Sequence, residues 1–159
     1  MGKQQSNPFS TGAGGPNFET RVQAAFTVFM LTGGSAPCLP PWPIDKIKLQ
    51  GHYAGFHTDD FIAFATESGT GRQAKLLAQI KHAIAITAGD KVFSEVIHAA
   101  WEDFNNPRVF QADTDSIALI TGPLSAPDTY NVRPILEWAR HSADETESVA
   151  KQLKDLLMN

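Results

Sequence analysis

Two short stretches of this chain carry side chains whose types and spacing could do metal and acid–base chemistry: Thr58-Asp59-Asp60-Phe61-Ile62 and Ala78-Gln79-Ile80-Lys81-His82. The second lies in a run, Lys75 to Ala83, that reads as a strand. Strand periodicity then puts Lys75, Leu77, Gln79 and Lys81 on one face and Leu76, Ala78, Ile80 and His82 on the other. A lysine on an otherwise internal strand needs a partner, because stripping water from an ammonium is unfavourable. The preceding strand, Asp60 to Thr66, offers one at its mouth. Between the two, Glu67-Ser-Gly-Thr-Gly-Arg72 has hairpin composition, so a carboxylate would come back beside Gln79 and Lys81. Carboxylate and amide oxygens suit a hard divalent cation such as Mg²⁺. A lysine beside them can orient an attacking water or neutralise charge building on phosphorus, a minimal kit for phosphodiester hydrolysis.

The elements that must position these groups follow from local pattern. Residues 1–16 read as a flexible arm ending in Gly-Ala-Gly-Gly-Pro, and 17–159 as the domain proper. From Asn17, a possible cap, Phe18, Val22, Ala25, Phe26, Phe29 and Met30 recur at helical spacing until Gly33-Gly34 stops the helix. Four prolines between Ala36 and Pro43 exclude regular structure there. Ile44 to Leu49 is the first strand of three, the other two being those above. A helix starts at Asp90 with Val92, Phe93, Val96, Ile97, Ala100 and Trp101 as one stripe, and Asn105-Asn-Pro107 ends it. Ser116 to Thr121 is short, apolar and closed by Gly122-Pro123, as a buried strand should be. Two helices finish the chain, Val132 to His141 and Glu145 to Met158. The plan is α/β, a mixed central sheet flanked by helices.

Bulk properties bound the function. A chain of 159 residues holds one domain with a core that needs no staples. The single cysteine, Cys38, excludes an internal disulfide and a Cys-based zinc site. No apolar run reaches the roughly 20 residues of a membrane span, and no secretory signal opens the chain, so a cytoplasmic protein is expected. A net charge of −4 weighs against nucleic acid, yet residues 46–91 hold six basic side chains against four acidic ones, and the last eighteen residues hold four acids against two lysines. A local basic surface is compatible with that distribution.

The two motifs and the element order resemble the PD-(D/E)XK, or restriction-endonuclease-like, nuclease superfamily, in particular its Mrr-like branch. That resemblance implies an αβββαβ core, with an acid opening the second strand and a (D/E/Q)-x-K triplet on the third, here Gln79-Ile80-Lys81. The family pattern favours Asp60 as the acid, because it directly precedes the hydrophobic strand residues; Asp59, of opposite parity, is the alternative and could cap the turn. Gly15-Pro-Asn-Phe-Glu19-Thr-Arg-Val22 looks like the first-helix element that carries a supporting metal ligand, which points to Glu19. By the resemblance, Mg²⁺ or Mn²⁺ is the cofactor, held by Asp60, Gln79 and Glu19, and DNA, double-stranded, is the substrate. Arg72 and Lys75 are offered as phosphate contacts by charge and location. The run from Gly14 to Ser125 is also similar to the effector domains at the N-termini of prokaryotic antiviral STAND-type ATPases. This implies an ATPase sensor beyond Asn159, a chain that is a fragment, and an active homo-oligomer, since one metal centre cuts one strand.

Blander readings stand beside these. Gln79 and Lys81 could be the exposed face of an edge strand, with Asp59-Asp60 as turn residues. Glu19 could be a solvated acid favoured by the helix dipole. The chain could be an inactive nuclease-like fold that binds nucleic acid, or an assembly module that docks through its terminal helices (Ile135, Leu136, Trp138, Ala139; Val149, Leu153, Leu156, Leu157). His82 reads as packed, His52 and His57 as loop residues near substrate at most, and Trp42 and Trp101 as packing residues. Gly69-Thr-Gly-Arg-Gln-Ala-Lys75 lacks the phosphate-loop pattern and precedes a strand.

Overall fold

A computed structural model describes residues 14–87 and 89–141. The arm up to residue 13 and the helix expected over Glu145 to Met158, with the docking residues Val149, Leu153, Leu156 and Leu157, lie outside the described residues, as do the side chains of Ile135, Trp138 and Ala139. The elements in chain order are α1 (Gly14–Leu31), β1 (Ile44–Leu49), a 3₁₀ turn (Gly51–Ala54), β2 (Phe61–Thr66), β3 (Gln73–Lys81), α2 (Lys91–Phe104), β4 (Ser116–Thr121) and α3 (Ala126–His141). One four-stranded sheet runs β1-β2-β3-β4. Its first two pairings are antiparallel and the third, β3 with β4, is parallel. The parallel pair needs a crossover, and α2 is that connection. No helix among the described residues is long and apolar enough to cross a membrane.

β2 and β3 are central strands, and their composition says why. Phe-Ile-Ala-Phe-Ala-Thr in β2 has no charge to expose, and Phe61, Ile62, Ala63 and Ala65 are fully buried. On one side of the sheet Phe61, Ala63, Leu76, Ala78 and Ile80 form a core with Phe26 of α1, and Phe18, Val22 and Met30 pack against its rim. Each such side chain contributes about 1.5–3 kcal/mol on full burial. Helix α2 stands over the other side, where Val92, Glu95, Val96 and Ala99 share a cleft with Gln79 and Lys81. With partners on both flanks, β3 is not an edge strand, so its lysines do not serve to block an edge.

Several boundaries differ from the sequence expectation. Gly14, Gly15 and Pro16 belong to α1 rather than to an arm. A proline is tolerated in a first helical turn, where its missing N–H has no helical partner to lose. Helix α3 begins at Ala126 rather than Val132. Ser125 caps it: its Oγ accepts from the Asp128 backbone N–H at 3.1 Å and donates to Asp128 Oδ2 at 2.6 Å. The expected α2 stripe is only partly covered. Val96 is buried, but Ile97 and Trp101 are exposed, so Trp101 is not a core packing residue.

Candidate functional site

The site is assembled where β2 begins and β3 ends. Register puts Phe61 opposite Ala78 and Ile62 opposite Leu77, so one step back along β2 sets Asp60 opposite Gln79. Directly opposed residues of an antiparallel pair share a face. Asp60, Gln79 and Lys81 therefore stand on one side of the sheet, the side that α2 covers.

Their hydrogen bonds define the geometry. Asp60 Oδ2 accepts from Lys81 Nζ at 3.0 Å and from the Ile80 backbone N–H at 2.8 Å. Both bonds fall on one carboxylate oxygen, which leaves Oδ1 without a hydrogen bond among the described residues. Gln79 is 7% exposed. Its amide nitrogen donates to Asp59 Oδ1 at 3.2 Å and to the His57 carbonyl at 3.4 Å. Two acceptors on one side require the nitrogen there, so the amide oxygen is turned away from them. That oxygen accepts no hydrogen bond among the described residues, and Gln79 lines the cleft together with His57, Lys81 and Glu95. The cleft encloses about 230 Å³.

The two aspartates thus do different work. Asp60 pairs the lysine, whereas Asp59 holds the Gln79 amide and lies 3.9 Å from His52 Nδ1. The segment carrying them is fixed from a distance. Asp103, fully buried near the end of α2, accepts the Thr58 N–H at 2.6 Å on Oδ2 and the His57 N–H at 3.0 Å on Oδ1 and 3.2 Å on Oδ2. A carboxylate spanning successive N–H groups clamps the backbone immediately before Asp59. Sequence reading passed over Asp103. Its one signal was an acid at the end of an apolar helix, where the dipole disfavours negative charge and some other partner is therefore implied.

Other candidates fall elsewhere. Glu19 lies on α1, which packs on the opposite face of the sheet, and its Oε1 accepts from Gln23 Nε2 at 2.8 Å. No contact among the described residues joins it to Asp60, Gln79 or Lys81, so it stands outside the cluster. Lys75 is not free to contact phosphate. Its Nζ lies 2.7 Å from Asp115 Oδ2, and the same carboxylate accepts the Lys75 N–H at 2.8 Å. Arg72 sits in the β2–β3 turn, over the Trp42 ring at 5.4 Å and 4.0 Å from Glu67. Seven strand residues at about 3.3 Å each put Arg72 roughly 23 Å from Gln79. Both basic residues belong to the far end of the hairpin. His82 packs edge-on against Phe18, with ring centroids 5.5 Å apart.

Among the described residues no group of three or more His, Cys, Asp or Glu side chains is placed to hold a metal ion. The cluster instead offers unlike oxygens: the unengaged Asp60 Oδ1 and the Gln79 amide oxygen, with no sulfur and no imidazole nitrogen in the set. This donor set fits a hard divalent cation that keeps several of its own waters, as Mg²⁺ and Mn²⁺ do, and does not fit zinc. No protein-family model, curated protein or solved structure matches the chain.

Proposed function

We propose that this domain is a metal-dependent nuclease that hydrolyses DNA phosphodiester bonds, with a restriction-endonuclease-like core. The observation that carries the reading is the Asp60–Lys81 pair at 3.0 Å with Gln79 beside it, on one sheet face and open to a cleft. The helix, three strands, helix, strand order and the antiparallel, antiparallel, parallel sheet support it.

Asp60 and Gln79 would hold Mg²⁺ or Mn²⁺, which supplies positive charge and Lewis acidity at the phosphate oxygens when bound. Lys81 has one of its three N–H donors on Asp60. The others are available to a phosphate oxygen on which charge builds and to the attacking water. Asp60 keeps that ammonium at the strand end, and Asp59 keeps the Gln79 oxygen turned to the cleft. Water forms the new bond to phosphorus as the bond to the leaving sugar oxygen breaks. The substrate enters past His57 and α2, not along Arg72 and Lys75.

Incubation of the purified chain with supercoiled plasmid and Mn²⁺ tests this. Nicked product that disappears with chelator and with Lys81→Ala or Asp60→Asn is expected. Intact plasmid at high enzyme, or cleavage that persists in both variants, removes the reading. Linear product would show that two copies act together.

A further inference from the structure

A nuclease site with Gln79 in the triplet is short of charge. Asp59, Asp60 and Lys81 sum to −1, and the amide adds nothing, against a cation of +2. Helix α2 brings a further carboxylate to the same place. The side chains it sets along the cleft are Val92, Glu95, Val96 and Ala99, spaced three and four apart as one helix face must be. Glu95 is the charged one among them, and it faces Gln79 and Lys81 across the gap. With Glu95 the local charge becomes −2.

The opposite wall points independently to a ligand. Gln79 is more than nine-tenths buried, its nitrogen is committed to Asp59 and His57, and its oxygen is left unpartnered at the cleft. A volume of about 230 Å³ accommodates an ion with several waters, each taking about 30 Å³. Glu95 is also free to respond. Its one ion pair, with Lys91 at 3.6 Å, is on the surface, where both side chains are mostly exposed. Such helix-surface pairs contribute little and can be given up for a stronger charge.

We propose that Glu95 supplies the second carboxylate of the cation site, so that the acid absent from position 79 on β3 is delivered from α2 instead. The inference rests on the nuclease reading above and names a ligand that the strand motif does not contain. It makes Gln79 and Glu95 exchangeable partners: a carboxylate returned to β3 relieves the need for one on α2.

Mn²⁺ binding to the full chain, followed by calorimetry or by the loss of the free-ion paramagnetic resonance signal, reads the site without relying on turnover. Glu95→Gln is expected to weaken Mn²⁺ binding by about tenfold or more, the scale on which metal sites respond to lost supporting groups. Gln79→Glu should tighten it, and Gln79→Glu/Glu95→Gln should return close to the wild-type affinity. Circular dichroism confirms the fold of each, and the exposed, nearly isosteric Glu95→Gln change leaves it intact. If Glu95→Gln binds Mn²⁺ like wild type while Asp60→Asn does not, Glu95 is no ligand although the cation site stands. A double variant as weak as Glu95→Gln also overturns the proposal. Wild-type protein that takes up no Mn²⁺ at millimolar concentration overturns both the proposal and the nuclease reading.

Discussion

Replacing Asp103 by Asn isolates the clamp behind the site. The native carboxylate is fully buried and receives the Thr58 N–H at 2.6 Å and the His57 N–H at 3.0 and 3.2 Å. An amide of the same shape has one acceptor oxygen. If that oxygen keeps Thr58, the NH₂ group faces the His57 N–H, two donors in contact with no acceptor between them. A hydrogen bond to a charged group is worth about 1.5–3 kcal/mol, and a buried donor left unpaired adds about 1–3 kcal/mol. Relief from desolvating a buried charge offsets part of this, so the net loss should be about 2 kcal/mol. For a domain of this size that lowers the melting temperature by about 4–8 °C. Urea unfolding followed by circular dichroism measures the change, with Mn²⁺-dependent plasmid nicking on the folded variant as the second assay. Nicking should slow, because the segment leading to Asp59 and Asp60 loses its anchor. An unfolding free energy within about 0.5 kcal/mol of wild type, the range of an ordinary surface substitution, would refute the argument.

Three further outcomes follow from the geometry. Lys81→Met should reduce nicking by about a hundredfold or more, the scale set by loss of one transition-state donor, while Asp60 retains its Ile80 N–H and the fold survives; near-normal nicking would exclude Lys81 from the chemistry. Lys75→Ala should destabilise the domain by about 3 kcal/mol, since it strands the Asp115 side chain, only 1% exposed. Its DNA affinity in a gel-shift assay should stay unchanged, and weakened binding by a stably folded variant would return Lys75 to the interface. Gly122→Ala would set a Cβ 2.4 Å from the His82 carbonyl oxygen, so β3 and β4 must part just beyond Lys81. A loss of about 1–3 kcal/mol in thermal unfolding is expected, and an unchanged melt would mean that the strand ends yield freely.

What the amino-acid order determined by itself was whatever depends on neighbours along the chain. Strand parity put Gln79 and Lys81 on one face, and the small, polar Glu67–Arg72 turn returned Asp60 to them. Both signals are local, with periods of two residues and a hairpin of fixed reach, and the register of Phe61 with Ala78 follows from them. The apolar content of β2 marked it as internal for the same reason. Termini were less legible: the cap at Ser125 needs its reciprocal bonds with Asp128 to be recognised as the start of a helix that still contains Pro134.

Only the tertiary structure decided which charges meet across long separations. Lys75 resembled a free cation on a strand, and its partner Asp115 is forty residues away. Asp103 and Glu95 sit on one helix, and their roles depend on how α2 is rotated over the sheet. That rotation sends Val96 inward, leaves Trp101 in solvent, turns Glu95 to the cleft and Asp103 to the backbone of Thr58. Helical periodicity gives a face but not the surface it meets, because that surface is built by strands from both sides of the helix in the chain. Glu19 shows the converse: a motif position can be right along the helix while packing sets that helix against the other side of the sheet.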